Sequence, residues 1–236
     1  MTEPLVLVPG MMCDARIFSH QINHISRERA VQIAPIMQGD RVEEIASGLL
    51  DQLPLRFALA GVSMGGIVAM EILRRAPDRV SRLCLMSTSP LAETPGEAAA
   101  REPQIARARA GQLAEVLKNT LRAEDFAPGP QRMELAQAVW QMGLELGEEL
   151  FVRQSRALQR RRDQQGTLRK SHVPTLLLCG AHDGLTPVRR HEFMAELMPN
   201  ARLQVLEQAG HLPVLDAPDA TTRALRHWLS QPVGTA

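Results

Sequence analysis

Six short apolar runs punctuate the chain, separated by segments whose apolar residues recur at helical spacing. Leu5-Val6-Leu7-Val8, Phe57 to Val62, Val80 to Ser87 and Pro174 to Cys179 read as strands, and the near-continuous runs among them suit burial on both faces. Ala30 to Pro35 and Arg202 to Glu207 read as two more. Asp14 is placed to cap a short helix carrying Ile17, Phe18, Ile22 and Ile25. Val42 to Gln52 repeats the pattern with Ile45 and Leu49 on its inner face. Met64 to Arg75 does so with Ile67, Met70 and Leu73, and Glu71 and Arg75 stand four apart for pairing. Pro187 opens a helix with Thr186 as its expected cap, and Pro218 opens the last one, with Leu225, Trp228 and Leu229 facing inward.

The rhythm breaks between Leu91 and Lys170. No strand-like run occurs there. Helical stretches are expected near 103–122, 131–146 and 148–163, divided by Pro128-Gly129-Pro130 and Gly147. The predicted fold class is therefore α/β: a mostly parallel, doubly covered sheet of about six strands with a helical cap insertion. The core is expected over 1–90 and 171–236, and the cap over 91–170. In such sheets ligands bind beyond the carboxyl ends of the strands.

Three strand ends carry the polar groups that chemistry needs. Gly61-Val62-Ser63-Met64-Gly65-Gly66 joins a buried strand to a helix through a turn too tight for a Cβ on either flank. That turn offers the Ser63 hydroxyl at the tip of the sheet. A serine hydroxyl is a weak nucleophile at neutral pH and needs a base, for which imidazole is suited. His211 follows the sixth run, and Asp183, after the fifth, is the carboxylate that would fix its tautomer. The backbone N–H groups of Met64 and Met11 are the expected oxyanion donors. His182, beside Asp183, reads as structural.

Composition narrows the class of partner. Formal net charge is +1, which gives no reason to expect a nucleic-acid or membrane partner. Basic residues are 25 Arg against 2 Lys, a skew of genome composition rather than function. Cys13, Cys84 and Cys179 are odd in number, scattered, and set mostly in apolar runs, so neither a disulfide framework nor a metal site is expected. The chain enters its first strand by Leu5 without a charged leader, and no stretch approaches the roughly 20 apolar residues of a membrane span. A cytoplasmic enzyme is expected.

With these pieces in place the chain resembles an α/β-hydrolase over nearly its whole length. The motifs that carry the resemblance are Val8-Pro9-Gly10-Met11, the turn around Ser63, Gly180-Ala181-His182-Asp183-Gly184-Leu185-Thr186-Pro187, and Ala209-Gly210-His211-Leu212-Pro213. Many small members of that family have His-Gly where this chain has Pro9-Gly10. The resemblance implies hydrolysis of a small carboxylic ester, thioester or lactone, with no cofactor and no metal. Carbon–carbon bond hydrolysis, enol-lactone hydrolysis, lyase and perhydrolase chemistry use the same triad, and a non-catalytic small-molecule receptor uses the same fold. Ser63 argues against the haloalkane and epoxide branches, which place Asp at that turn. The partner expected is a small acyl substrate; a homodimer is compatible with the chain.

Met12, Trp140, Met142 and Leu212 are the residues expected around an acyl pocket, although methionines suit core filling equally well. Arg153, Arg156, Arg160, Arg161 and Arg162 form a basic run. It reads more simply as a solvated helix face than as a clamp for an acidic substrate or an acyl-CoA. Cys13 reads as a small buried residue rather than a reactive thiol.

Overall fold

The computed structural model describes residues 3–232. Its centre is a six-stranded sheet made of β1 (Leu5–Val8), β2 (Val31–Ile33), β3 (Phe57–Val62), β4 (Val80–Met86), β5 (Thr175–Gly180) and β6 (Ala201–Leu206). Every pairing is parallel, in the order β2-β1-β3-β4-β5-β6. The inner strands β1, β3, β4 and β5 are buried at every residue. That burial is why they read as unbroken apolar runs. The edge strands β2 and β6 are only partly covered and carry Gln32, Arg202 and Gln204.

Helices cover both faces: α1 (Ser19–Ile25), α2 (Val42–Leu50) and α3 (Met64–Arg75) come before β4. Between β4 and β5 lie α4 (Pro95–Arg107), α5 (Leu113–Thr120), α6 (Arg132–Leu146), α7 (Glu148–Gln159) and α8 (Gln165–Lys170). Helix α9 (Val188–Leu197), the short α10 (Pro213–Asp216) and α11 (Pro218–Ser230) complete the set. One apolar cluster joins α2, α3 and α9 to the sheet, and a second joins α1 and α11 to its other face.

Two local expectations are revised. The helix expected near 103 begins at Pro95. Thr94 accepts from the Glu97 N–H while the Glu97 carboxylate accepts from the Thr94 N–H, a capping box with proline at the first helical position. Pro103 lies inside the helix, and the run instead loses α-geometry over Ala108–Gln112, where Gly111 takes φ 79°. Thr186 does not cap α9. Its hydroxyl donates to Asp183 at 2.6 Å, and Pro187 stands at the cap position without a side-chain bond.

The sheet reverses its winding between β1 and β3, which pair directly with Val8 opposite Gly61. That switch point opens a crevice at the carboxyl ends of both strands. The turn from β3 into α3 fills one side of it and Pro9-Gly10-Met11 the other. Packing there tolerates no side chain. A Cβ on Gly65 would lie 2.1 Å from the Val8 carbonyl oxygen, and one on Gly61 would lie 2.3 Å from the Gly65 oxygen. Gly65→Ala should therefore force β1 and α3 apart and destabilise the fold by about 1–3 kcal/mol or more. For a chain of this size each kcal/mol moves Tm by roughly 2–4 °C, so thermal unfolding followed by circular dichroism reads the effect.

Candidate active site

Ser63 takes φ 55° and ψ −120°, a conformation that costs a non-glycine residue about 1–3 kcal/mol and persists only where surroundings over-determine it. Those surroundings are visible. The Ser63 N–H donates to the Met86 carbonyl at 2.9 Å, and the Thr88 hydroxyl donates to the Ser63 carbonyl at 2.8 Å. The end of β4 thus grips both sides of the turn. Thr88 is itself held: its N–H donates to Nε2 of His191 at 3.2 Å. His191 is fully buried, and burial pushes its pKa down from 6.5 to about 4. It stays neutral at physiological pH and serves as an acceptor.

The three groups expected at separate strand ends meet. His211 Nε2 lies 2.8 Å from Ser63 Oγ, and His211 Nδ1 lies 2.9 and 3.0 Å from the two Asp183 oxygens. Asp183 also accepts from the N–H groups of Leu185 and Thr186 and from the Thr186 hydroxyl. Burial pushes the Asp183 carboxyl up, but His211 and these donors outweigh it and hold the group below the usual carboxylate range. An ionised Asp183 only accepts, so it fixes the proton of a neutral His211 on Nδ1 and leaves Nε2 free to take one from Ser63.

The loop that carries His211 is pinned by residues that local pattern did not single out. Its N–H donates to the Asp125 carbonyl at 2.7 Å. Asp216 accepts from the Gly210 N–H at 2.8 Å and the Ala127 N–H at 3.2 Å, joining the histidine loop to the segment between α5 and α6. A Cβ on Gly210 would lie 2.2 Å from the Asp125 carbonyl oxygen, so glycine is required at the join. On the opposite side, Gln154 of α7 accepts from the Met12 N–H at 2.8 Å and donates to the Ile36 carbonyl at 2.8 Å. This buried amide holds the turn after β1, where Met12 takes φ 53°.

The Met64 N–H stands at the first position of α3, where no intrahelical acceptor exists. Neither it nor the Met11 N–H donates to another group among the described residues. A cavity of about 430 Å³ opens over them, bordered by Met11, Ser63, Met64, His211 and Leu212, and on the cap side by α4 and Arg161. Met12, Trp140 and Met142 do not border it. Met12 packs with Ile105, Leu117 and Phe151. The Trp140 indole N–H is spent on the Leu121 carbonyl at 2.7 Å, and the Met142 sulfur accepts from the Asp14 N–H. Cys13 does border the cavity, but burial pushes its thiol up to about 12, so it is an inert group at neutral pH. Among the described residues no helix is long and apolar enough to cross a membrane.

A parallel sheet that presents a serine at a strained strand-to-helix turn, with histidine and carboxylate arriving from later strand ends, defines a class of hydrolytic enzyme. The sequence profile of the alpha/beta hydrolase fold matches residues 40–218, and the chain belongs to that family. It is 30% identical over 201 residues to a pimeloyl-[acyl-carrier protein] methyl ester esterase of Aromatoleum aromaticum, covering 77% of each chain. A pimeloyl-[acyl-carrier protein] methyl ester esterase of Legionella pneumophila is 27% identical over 92% of this chain and 90% of its own. Among solved structures, a thermophilic esterase from Thermogutta terrifontis, with malate bound, superposes with a TM-score of 0.87 at 26% identity, over 96% of this chain and 89% of that one. With these relatives the chain is a carboxylic ester hydrolase.

The neutral, buried state of His191 makes stability depend on pH with a definite sign. Its folded pKa lies below its unfolded one, so between pH 6.5 and about 4 the unfolded chain binds the extra proton. Stability contributed above pH 6.5 is lost as pH falls through that window, by up to about 3 kcal/mol. His191→Gln, which keeps an acceptor for Thr88, should flatten the dependence of Tm on pH over that range relative to wild type.

Proposed function

We propose that the chain hydrolyses small carboxylic esters through an acyl-enzyme on Ser63. The observation that carries this reading is the continuous line Ser63 Oγ, His211 Nε2, His211 Nδ1, Asp183, with every step at or below 3.0 Å. Ser63 attacks the ester carbonyl as its proton passes to His211 Nε2. The imidazolium that forms keeps its Nδ1 proton against the ionised Asp183. The oxyanion of the tetrahedral intermediate is received by the N–H groups of Met64 and Met11. His211 then returns its proton to the departing alcohol oxygen, leaving an ester on Ser63. A water gives its proton to His211 as it attacks that ester, and His211 protonates the Ser63 oxygen as the acid leaves.

The names of the curated relatives support a methyl ester on an acyl chain as the substrate form. The 430 Å³ cavity is compatible with an acyl chain of moderate length beside a small alcohol. This reading needs no cofactor.

Ser63→Ala should lower kcat for p-nitrophenyl butyrate by at least about 10³-fold and abolish labelling by a fluorophosphonate. Asp183→Asn should keep the fold and lower kcat by about 10⁴-fold, because the amide lets His211 adopt the wrong tautomer. Hydrolysis by Ser63→Ala at the wild-type rate would sink the proposal.

A further inference from the structure

Five arginines lie close together in and after α7, and the structure separates one from the rest. Arg153 pairs with Glu149, Arg156 with Glu102, Arg160 with Asp40 and Arg162 with Glu43. None of those four borders the cavity over Ser63; Arg161 does, and so does Arg101 of α4. Arg161 is anchored by one edge. Its Nε donates to the Leu91 carbonyl at 2.9 Å, and Nη1 lies 3.4 Å from a Glu93 oxygen. Its Nη2 donates to no group among the described residues, and the side chain keeps 14% of its surface. Arg101 grips Glu93 through Nε and Nη2 at 2.6 to 3.0 Å, and its Nη1 is likewise without a partner among the described residues.

The carboxylates nearby are already engaged. Glu93 is 4% exposed and accepts three hydrogen bonds from Arg101. Glu97 is turned into the capping box with Thr94. Arg190 adds a further positive charge close enough to act on both Arg161 and Glu97. Arg101, Arg161, Glu93 and Glu97 all border the cavity and balance in formal charge, and Arg190, which does not border it, adds a positive charge nearby. Taking a guanidinium out of water is costly unless an anion meets it.

The geometry points to an anion subsite formed by Arg161 and Arg101 on the cap wall of the cavity, taking a carboxylate carried by the substrate at its end remote from the scissile ester. The substrate class is then the monoester of a dicarboxylic acid. This rests on the reading of Ser63 as the ester-cleaving nucleophile. A planar carboxylate matches the open N–H groups of the two guanidiniums, and with Glu93 and Glu97 on the same wall a singly charged group is repelled less than a phosphate dianion.

The test compares monomethyl with dimethyl esters of glutarate, adipate and pimelate by methanol release. Wild type should favour the best half-ester over its diester by about 10- to 100-fold in kcat/KM, the range of a charge-assisted hydrogen bond. Arg161→Gln should collapse that ratio toward one, chiefly through KM. Arg161→Lys, which keeps charge without the fork, should retain part of it, and Arg160→Gln, outside the cavity, should retain all of it. Equal rates on half-ester and diester in wild type would overturn the subsite, as would an Arg161→Gln protein with an unchanged ratio. A stronger preference for a phosphate-terminated methyl ester would overturn the assignment to carboxylate. Fluorophosphonate labelling of Ser63 keeps the two readings apart. Wild type that labels and cleaves diesters without half-ester preference refutes the subsite alone; wild type that neither labels nor cleaves any ester refutes the nucleophile.

Discussion

The structure depends on how closely three backbones approach at the switch point of the sheet. β1, the turn after β3 and the first turn of α3 come within a distance that excludes any Cβ at Gly61 or Gly65. This contact leaves Ser63 at φ 55°, lifts its hydroxyl above the sheet and sets the Met64 N–H at a helix start with no internal acceptor. The Ser63 hydroxyl and the Met64 N–H are therefore placed together by one steric constraint rather than by two. The same crevice takes the Pro9-Gly10-Met11 turn, where a Cβ on Gly10 would lie 3.3 Å from the Ser63 Cβ.

Strain at one residue has to be balanced by rigidity around it, and the surroundings supply it from distant parts of the chain. Thr88 holds the Ser63 carbonyl and is held by His191, 103 residues further on. Gln154 holds the Met12 N–H from 142 residues away. Asp216 and Asp125 join the histidine loop to the segment that leads into α6. Thr88, His191 and Gln154 are buried and Asp216 is partly buried, and truncating His191, Gln154 or Asp216 would leave a backbone N–H unpaired. The insertion between β4 and β5 is thus bonded to both the turn after β1 and the loop after β6. Changes within it reach the reacting atoms through these bonds as well as through the cavity wall.

Ser63, Asp183 and His211 stood out in the sequence because glycine lies one or two residues from each, in turns at strand ends, and such turns are fixed by local sterics. The inner strands β1, β3, β4 and β5 were legible because burial on both faces writes a continuous apolar run. The bonds of Thr88, Gln154 and Asp216 were not legible, because their partners are set by tertiary contact and no local pattern marks them. Within the insertion, the capping box Thr94-Pro95-Gly96-Glu97 was present in the sequence, yet the start expected near 103 lay eight residues too late, with Pro103 inside the helix. Proline marks a helix boundary by removing one donor; an N-terminal cap with two reciprocal bonds outweighs it. Met11 and Met64 border the cavity, but Met12, Met142 and Trp140 do not. Their apolar surface is as well used in packing, and Trp140 found its hydrogen-bond partner in the Leu121 carbonyl.

The basic run illustrates how charge counting along a chain differs from charge counting in space. Along the chain, Arg153 to Arg162 looks like one positive patch. In space it disperses: four of the five side chains turn to separate acids on α4, α7 and the 40–43 segment, and only Arg161 borders the cavity. A surface ion pair contributes about 0–1 kcal/mol and says little about function. A guanidinium that borders the nucleophile's own cavity, shares its acid with a second arginine and keeps an open N–H face is a different object. Screening by solvent is weaker there, so a substrate charge placed against it is felt more strongly than on the outer surface. On the proposed reading the division of labour follows from position: the strained turn decides which bond is attacked, while Arg161 and Arg101 on the cavity wall bear on which molecule is held there.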